Sequence, residues 1–276
     1  MYGEAIMVRT LSIVLSTATL ALLFAGARPS ASPSPAAGGT LVGHVTLTTP
    51  APPNRPIQMG ADLKCLEIAG GRKVEQELVL RDPDGGLRNV FVSLQGTFPQ
   101  TPPPTQPITI DQQGCVYHPR IQGARVGQTL IVKNDDDTLH NIHSLSTKGN
   151  LFNTGQPKAG LTFTYVLKAE EVMLHVKCDV HPWMSGYLGV LSHPYFAVTG
   201  AQGAFSIADI PPGHYTVQAW HERYGTTTQT IDITAGKATV ADFSFGGNAQ
   251  ASPAPAGFVA QDLVVPEMDL PTAPRS

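Results

Sequence analysis

Apolar and polar positions alternate with a period of two over many short stretches of this chain. No long stretch repeats its apolar residues every three to four positions. Leu41-Val42-Gly43-His44-Val45-Thr46-Leu47, Asn89-Val90-Phe91-Val92-Ser93-Leu94, Thr129-Leu130-Ile131-Val132 and Val172-Met173-Leu174-His175-Val176 are rich in β-branched and apolar residues. Turn formers bound most of them, as in Asp82-Pro83-Asp84-Gly85-Gly86, Asp111-Gln112-Gln113-Gly114 and Pro211-Pro212-Gly213. The pattern predicts an all-β protein built from sandwiches, with helix scarce. It holds from about residue 40 to residue 245. Before it, residues 28–39 read as a low-complexity linker, and after it residues 247–276 read as a Pro/Ala-rich tail.

Composition narrows the picture. The chain has 276 residues, 42 % hydrophobic and 14 % charged, with a formal net charge of -3. There is no basic stripe of the kind that marks a nucleic-acid partner. At the N-terminus Arg9 precedes an apolar run from Leu11 to Phe24, and Ala25-Gly26-Ala27 supplies small residues for cleavage. That order predicts a cleaved signal peptide at 1–27 and a periplasmic or otherwise extracytoplasmic mature protein with no transmembrane segment. The apolar run is shorter than the roughly 20 residues that span a bilayer.

Export makes disulfides available, and the three cysteines leave one thiol over. Cys65 and Cys115 sit in polar, turn-rich surroundings without a nearby His at ligand spacing. Cys178 sits in Lys177-Cys178-Asp179-Val180-His181-Pro182-Trp183-Met184-Ser185-Gly186. The expected assignment is a Cys65–Cys115 disulfide and a metal thiolate at Cys178.

A type 1 copper site takes two imidazoles and a thiolate in a plane, with a weak thioether above it. Cys178, His181 and Met184 supply three of these from one tight loop. The soft thiolate and thioether favour copper over hard cations. Zinc also accepts Cys and His, but a Met ligand argues against a dedicated zinc site. The fourth ligand is expected from Asn134-Asp135-Asp136-Asp137-Thr138-Leu139-His140-Asn141-Ile142-His143. His140 is the choice and His143 the rival; on a strand the two point to opposite faces. Asn141 and Pro182 would flank the ligands, Asn141 tying the two loops together. The Asp135-Asp136-Asp137 run is expected to be a solvated loop. His175 is expected to face away from the site.

Residues 107–192 resemble the cupredoxin family, amicyanin and its plastocyanin relatives in particular. The likeness rests on Val126-Gly127-Gln128-Thr129-Leu130, Asn134, His140-Asn141-Ile142-His143 and the Cys178–Gly186 loop with its short Cys-to-Met spacing. It covers about a third of the chain. It implies a Greek-key β-sandwich, one copper ion on His140, Cys178, His181 and Met184, and single-electron transfer between Cu(I) and Cu(II). It further implies that the ring edge of His181 is exposed and passes the electron to a docked redox partner such as a cytochrome or dehydrogenase; Trp183 is then a contact residue of that docking patch, the alternative being a core residue.

Beyond the copper loop, Val198 to Ile207 reads as a hairpin, and Ile210 to His221 as a turn and an alternating strand. This part resembles the carboxypeptidase regulatory-like family, which implies a small prealbumin-like β-sandwich without catalysis. Residues 194–246 are short for that fold, while strands within 40–106 look like its opening strands. The expected arrangement is a cupredoxin domain at 107–193 inserted into a split sandwich; the alternative is a sequential one, with the front strands added to the cupredoxin. The functional expectation is an electron carrier and not an enzyme. The alternatives are copper storage or delivery, and a non-metal binding module of the cell envelope.

Overall fold

The computed structural model describes residues 37–59, 62–70 and 77–246. The expected signal peptide at 1–27, the linker as far as residue 36 and the tail at 247–276 lie outside them.

The chain order opens with strand β1 (Gly39–Leu47), a short helix α1 (Leu63–Ile68) and β2 (Phe91–Gln95). Next come β3 (Ile108–Gln113), β4 (Val116–His118), β5 (Ile121–Arg125), β6 (Thr129–Asn134) and β7 (His140–Ser144). They are followed by β8 (Asn153–Gln156), β9 (Thr162–Val166), β10 (Glu171–Lys177) and β11 (Ser185–Leu191). The last six are β12 (Phe196–Val198), β13 (Ala204–Ile210), β14 (Gly213–His221), β15 (Gly225–Ile233), β16 (Ala238–Val240) and β17 (Phe243–Phe245). The fold is all-β, as the two-residue alternation demands. Among the described residues no helix is long and apolar enough to cross a membrane.

One sandwich faces the sheet β5-β11-β10-β7-β8 against the sheet β4-β3-β6-β9. Its interior comes directly from side-chain alternation. On β6, Leu130, Val132 and Asn134 point inward between half-buried neighbours, and on β10 Leu174 and Val176 do the same. Continuing that alternation by two residues carries Cys178 into the same core, with Ile142, Met184 and Leu188. Register then sets its neighbours. β10 pairs with β7 antiparallel, placing Lys177 opposite His143, so the first residues of β7 lie beside the end of β10.

The other sandwich uses both ends of the folded region. β1 pairs with β13, β16 and β17, and the facing sheet runs β12-β2-β14-β15. Leu41, Val45 and Leu47 from β1 meet Val92, Leu94, Val217 and Phe245 in a shared core. The chain thus enters this sandwich with β1 and β2, passes through β3–β11 in the first, and returns for β12–β17. The hairpin expected over 198–207 is not formed. β12 pairs with β2 in one sheet and β13 with β1 in the other, so a turn at Ala201–Gly203 carries the chain between layers.

Glycines allow the two sandwiches to meet closely. Gly189 on β11 and Gly123 on β5 are register partners. A Cβ on Gly189 would lie 2.2 Å from the Phe91 ring, and one on Gly123 would lie 2.3 Å from that of Phe196. Phe91 and Phe196 themselves stack with ring centroids 5.7 Å apart. At the edge of this joint Arg120 grips both carboxylate oxygens of Glu222, with Nη2–Oε2 at 2.7 Å.

Candidate metal centre

The loop that follows β10 closes on itself through its backbone. Cys178 N–H donates to Met184 O at 3.0 Å, and Met184 N–H to His181 O at 2.9 Å. This turn points the Cys178, His181 and Met184 side chains into the core, where all are at most 1 % exposed. His181 N–H also donates to Cys178 Sγ at 3.4 Å. From β7, His140 enters the same space, fully buried, with Nδ1 at 3.0 Å from His181 Nδ1. One ligand atom from each of His140, Cys178 and His181 lies within 4.8 Å of the others. His143, the rival ligand, lies on the opposite face of β7 and bonds Asp179 through Nδ1 at 3.0 Å. His175 faces away as well, 2.8 Å from Ser185 Oγ and stacked on Tyr187.

The far nitrogen of each imidazole is held by a carboxylate. His140 Nε2 is 3.0 Å from Asp136 Oδ2, and His181 Nε2 is 2.8 Å from Asp62 Oδ2. A carboxylate accepting from Nε2–H leaves Nδ1 as the lone-pair donor, which fixes the tautomer a metal requires. Asp136 also accepts from the backbone N–H groups of Gly114 and Cys115, at 2.8 and 2.7 Å. Burial would raise its pKa, but His140 and these two N–H donors hold its carboxyl below the usual range. Burial likewise pushes the Cys178 thiol up. Hydrogen bonds from His140 and His181, with backbone donors at Asn141 and His181, outweigh that and hold it at about 6. For His140 and His181 burial favours the neutral ring, yet hydrogen bonds to Cys178 and to their carboxylates raise both.

This donor set suits a soft, thiolate-accepting ion. The thiolate form is favoured, the two Nδ1 atoms converge on it, and the thioether-bearing Met184 is buried in the same core. Two further groupings, Asp62-Cys65-His181 and Cys115-Asp136-His140, lie alongside. Their sulfurs are joined in the Cys65–Cys115 disulfide, so they are not thiolate sites. The disulfide is the one expected, and Cys178 is the free thiol.

Asn141 ties the two loops. Its Oδ1 accepts from Asp179 N–H at 2.6 Å, and its Nδ2 donates to Asp179 Oδ2 at 3.1 Å and Asn153 Oδ1 at 2.8 Å. Pro182 is exposed between buried His181 and half-buried Trp183.

The carboxypeptidase regulatory-like domain matches residues 191–246. That stretch holds β12–β17, while β1 and β2 of the same sandwich lie outside it. No curated protein matches the chain. Among solved structures, a purple cupredoxin from Nitrosopumilus maritimus is 29 % identical, covering 30 % of this chain and 98 % of that one at a TM-score of 0.27. A mutant amicyanin in its Cu(I) form is 20 % identical over 30 % of this chain and 81 % of that one, TM-score 0.26. A copper-containing nitrite reductase from Thermus scotoductus is 21 % identical over 31 % of this chain but only 22 % of that one, TM-score 0.27. At such scores these likenesses carry no weight for the metal centre, which rests on its own geometry.

Three expectations need correction. The exposed ring edge expected of His181 is absent: the residue is 1 % exposed, because Asp62 and Cys65 of the α1 segment lie on it, Cys65 Sγ 3.6 Å from Nε2. Trp183 is half-buried, its Nε1–H donating to Cys115 O at 2.8 Å and its ring 5.1 Å from that of His181. What His181 and Trp183 share is a hollow of about 590 Å³, which they line with Arg55, Asp62, Val180 and Pro182. The Asp135–Asp137 loop is not uniformly solvated, since Asp136 is buried beneath His140. Asp62 and Asp136 are the residues sequence reasoning missed. Asp136 had a faint signal, a carboxylate four residues before the ligand His; Asp62 had none.

Proposed function

We propose that this protein carries single electrons on one type 1 copper ion held by His140, Cys178, His181 and Met184, between redox partners outside the cytoplasm. The reading rests on one observation: two imidazole Nδ1 atoms and one thiol converge in a buried pocket with both outer nitrogens tied to carboxylates. When bound, copper would supply a one-electron couple between Cu(I) and Cu(II). The chain's own part is to hold the donors still. The turn Cys178–Met184 fixes three of them relative to one another, and Asn141 fixes that turn to β7. Fixed donors keep the rearrangement between oxidation states small. Apolar packing around Cys178 from Ile142 and Leu188 excludes water.

The burial of His181 favours a second reading, in which the protein holds copper for storage or delivery. The visible spectrum of the mature protein with stoichiometric Cu(II) tests the site. An intense thiolate-to-copper band is expected, and it should vanish in Cys178→Ala. Absence of that band from the wild type would remove both copper readings. Fast, reversible oxidation and reduction of the loaded site by small redox reagents would favour the carrier over the store.

A further inference from the structure

The segment carrying Asp62 reaches the metal centre from 119 residues away in the chain. It is anchored at both ends of a short path. Asp62 caps α1, its Oδ1 accepting from Lys64 N–H at 2.8 Å and Cys65 N–H at 3.0 Å, while Oδ2 faces His181. The carboxylate cannot swing off the imidazole without uncapping the helix. One turn further on, Cys65 is bonded to Cys115 in the turn between β3 and β4. Cys115 in turn donates its N–H to Asp136 and accepts from Trp183. A single cross-link therefore joins the carboxylate on His181 to the carboxylate on His140. Hydrogen-bonded carboxylates behind imidazole ligands raise ligand basicity and fix ring orientation, and losing one commonly lowers metal affinity 10- to 100-fold.

We propose that Asp62 is a positioning residue of the copper centre, and that the disulfide-anchored strap bearing it is a closed cover over His181. This rests on the copper reading above. The cover has two consequences. A negative charge beside the ligand shell stabilises Cu(II) over Cu(I), and the ring of His181, 1 % exposed, is kept from direct contact with ions and partners. A redox partner must then meet the strap, or another face, instead of the imidazole.

The test uses the mature chain with Asp62→Ala, Asp62→Asn and Asp62→Glu. Three quantities are read: modification of His181 by diethyl pyrocarbonate in copper-free protein, the midpoint potential, and the rate of Cu(I) transfer to a bathocuproine chelator. For Asp62→Ala we expect His181 to become as reactive as an exposed histidine, the potential to rise, and copper transfer to quicken 10- to 100-fold. Asp62→Asn, which keeps the shape and removes the charge, should raise the potential with a smaller change in reactivity, and Asp62→Glu should restore part of the wild-type behaviour. Wild-type values of all three quantities in a folded Asp62→Ala, or in Asp62→Asn should the alanine variant not fold, would overturn the proposal. If the wild type itself gives no thiolate band, the copper reading fails. The cover is then judged on its own by the histidine modification, and an already reactive His181 in the wild type would overturn it.

Discussion

Residues at two sites in this protein pay opposite attention to charge. At the candidate metal centre, histidines are given carboxylate partners. In the second sandwich, beside Tyr224 and Phe245, His221 is buried with none: it is 1 % exposed, its Nδ1 accepts from Arg223 N–H at 3.1 Å, and its Nε2 has no hydrogen-bond partner. Burial, with Arg120 and Arg223 nearby, lowers it from 6.5 to about 4. The neutral ring is the folded form. Its contribution to stability is intact above the ordinary histidine range and is lost as pH falls through about 4. Between neutral pH and pH 4 the loss from this one group is about 3 kcal/mol. Urea unfolding at pH 7, 5.5 and 4 should show it. His221→Phe, which keeps the packing on Tyr224 and Phe245, should flatten that pH dependence even if it lowers stability at pH 7. An equally steep loss in the variant would assign the acid sensitivity elsewhere.

Among the elements, α1 is the one that local physics does least to support. Six residues are too few for a helix to hold by itself. Leu63 and Leu66 are exposed, so little apolar burial helps it. What fixes it is the Asp62 cap and the Cys65–Cys115 link, which closes a separation of 50 residues. In the chain-entropy view a loop of that size is worth about 4 kcal/mol. Replacing both cysteines by serine should lower the unfolding free energy by that amount in chemical denaturation. It should also speed amide hydrogen exchange in α1 far more than in β6 or β10. Uniform acceleration across all strands would mean that the link stabilises the whole fold and not the strap.

For the whole molecule, the two sandwiches are bound by aromatic contact across two glycines and by the Arg120–Glu222 pair, whose side chains are 15 % and 7 % exposed. Burial works against the Arg120 charge, and Glu222 more than restores it, so the guanidinium stays ionised. A buried pair of this kind contributes little net stability over an apolar pair, yet removing one partner strands the other charge at a cost of about 3–5 kcal/mol. Arg120→Ala should therefore lower stability by about that much and open the joint to limited proteolysis. Arg120→Met with Glu222→Leu should recover most of the loss. If the single variant behaves like wild type, the joint rests on its apolar contacts, Phe91 and Phe196 with Ile121, Tyr187 and Trp220.

Much of this arrangement was written locally. Side-chain alternation in Leu41–Leu47, Thr129–Val132 and Val172–Val176 placed strands there because a pleated backbone sends successive side chains to opposite faces. The Cys178, His181 and Met184 spacing put three donors on one turn for the same short-range reason, and strand geometry separated His140 from His143. The hairpin over 198–207 failed because its two strands found better partners in different sheets, a choice no local pattern records. Asp62 and Asp136 belong to that second category. Their roles depend on where β3, β4 and the α1 segment come to rest, and that is decided by pairings and a disulfide spanning tens of residues. The sequence by itself determined the strands, the lone thiol and the convergent donors. Tertiary structure alone decided that His181 is covered, because a ring edge is exposed or buried by whatever the rest of the chain lays upon it.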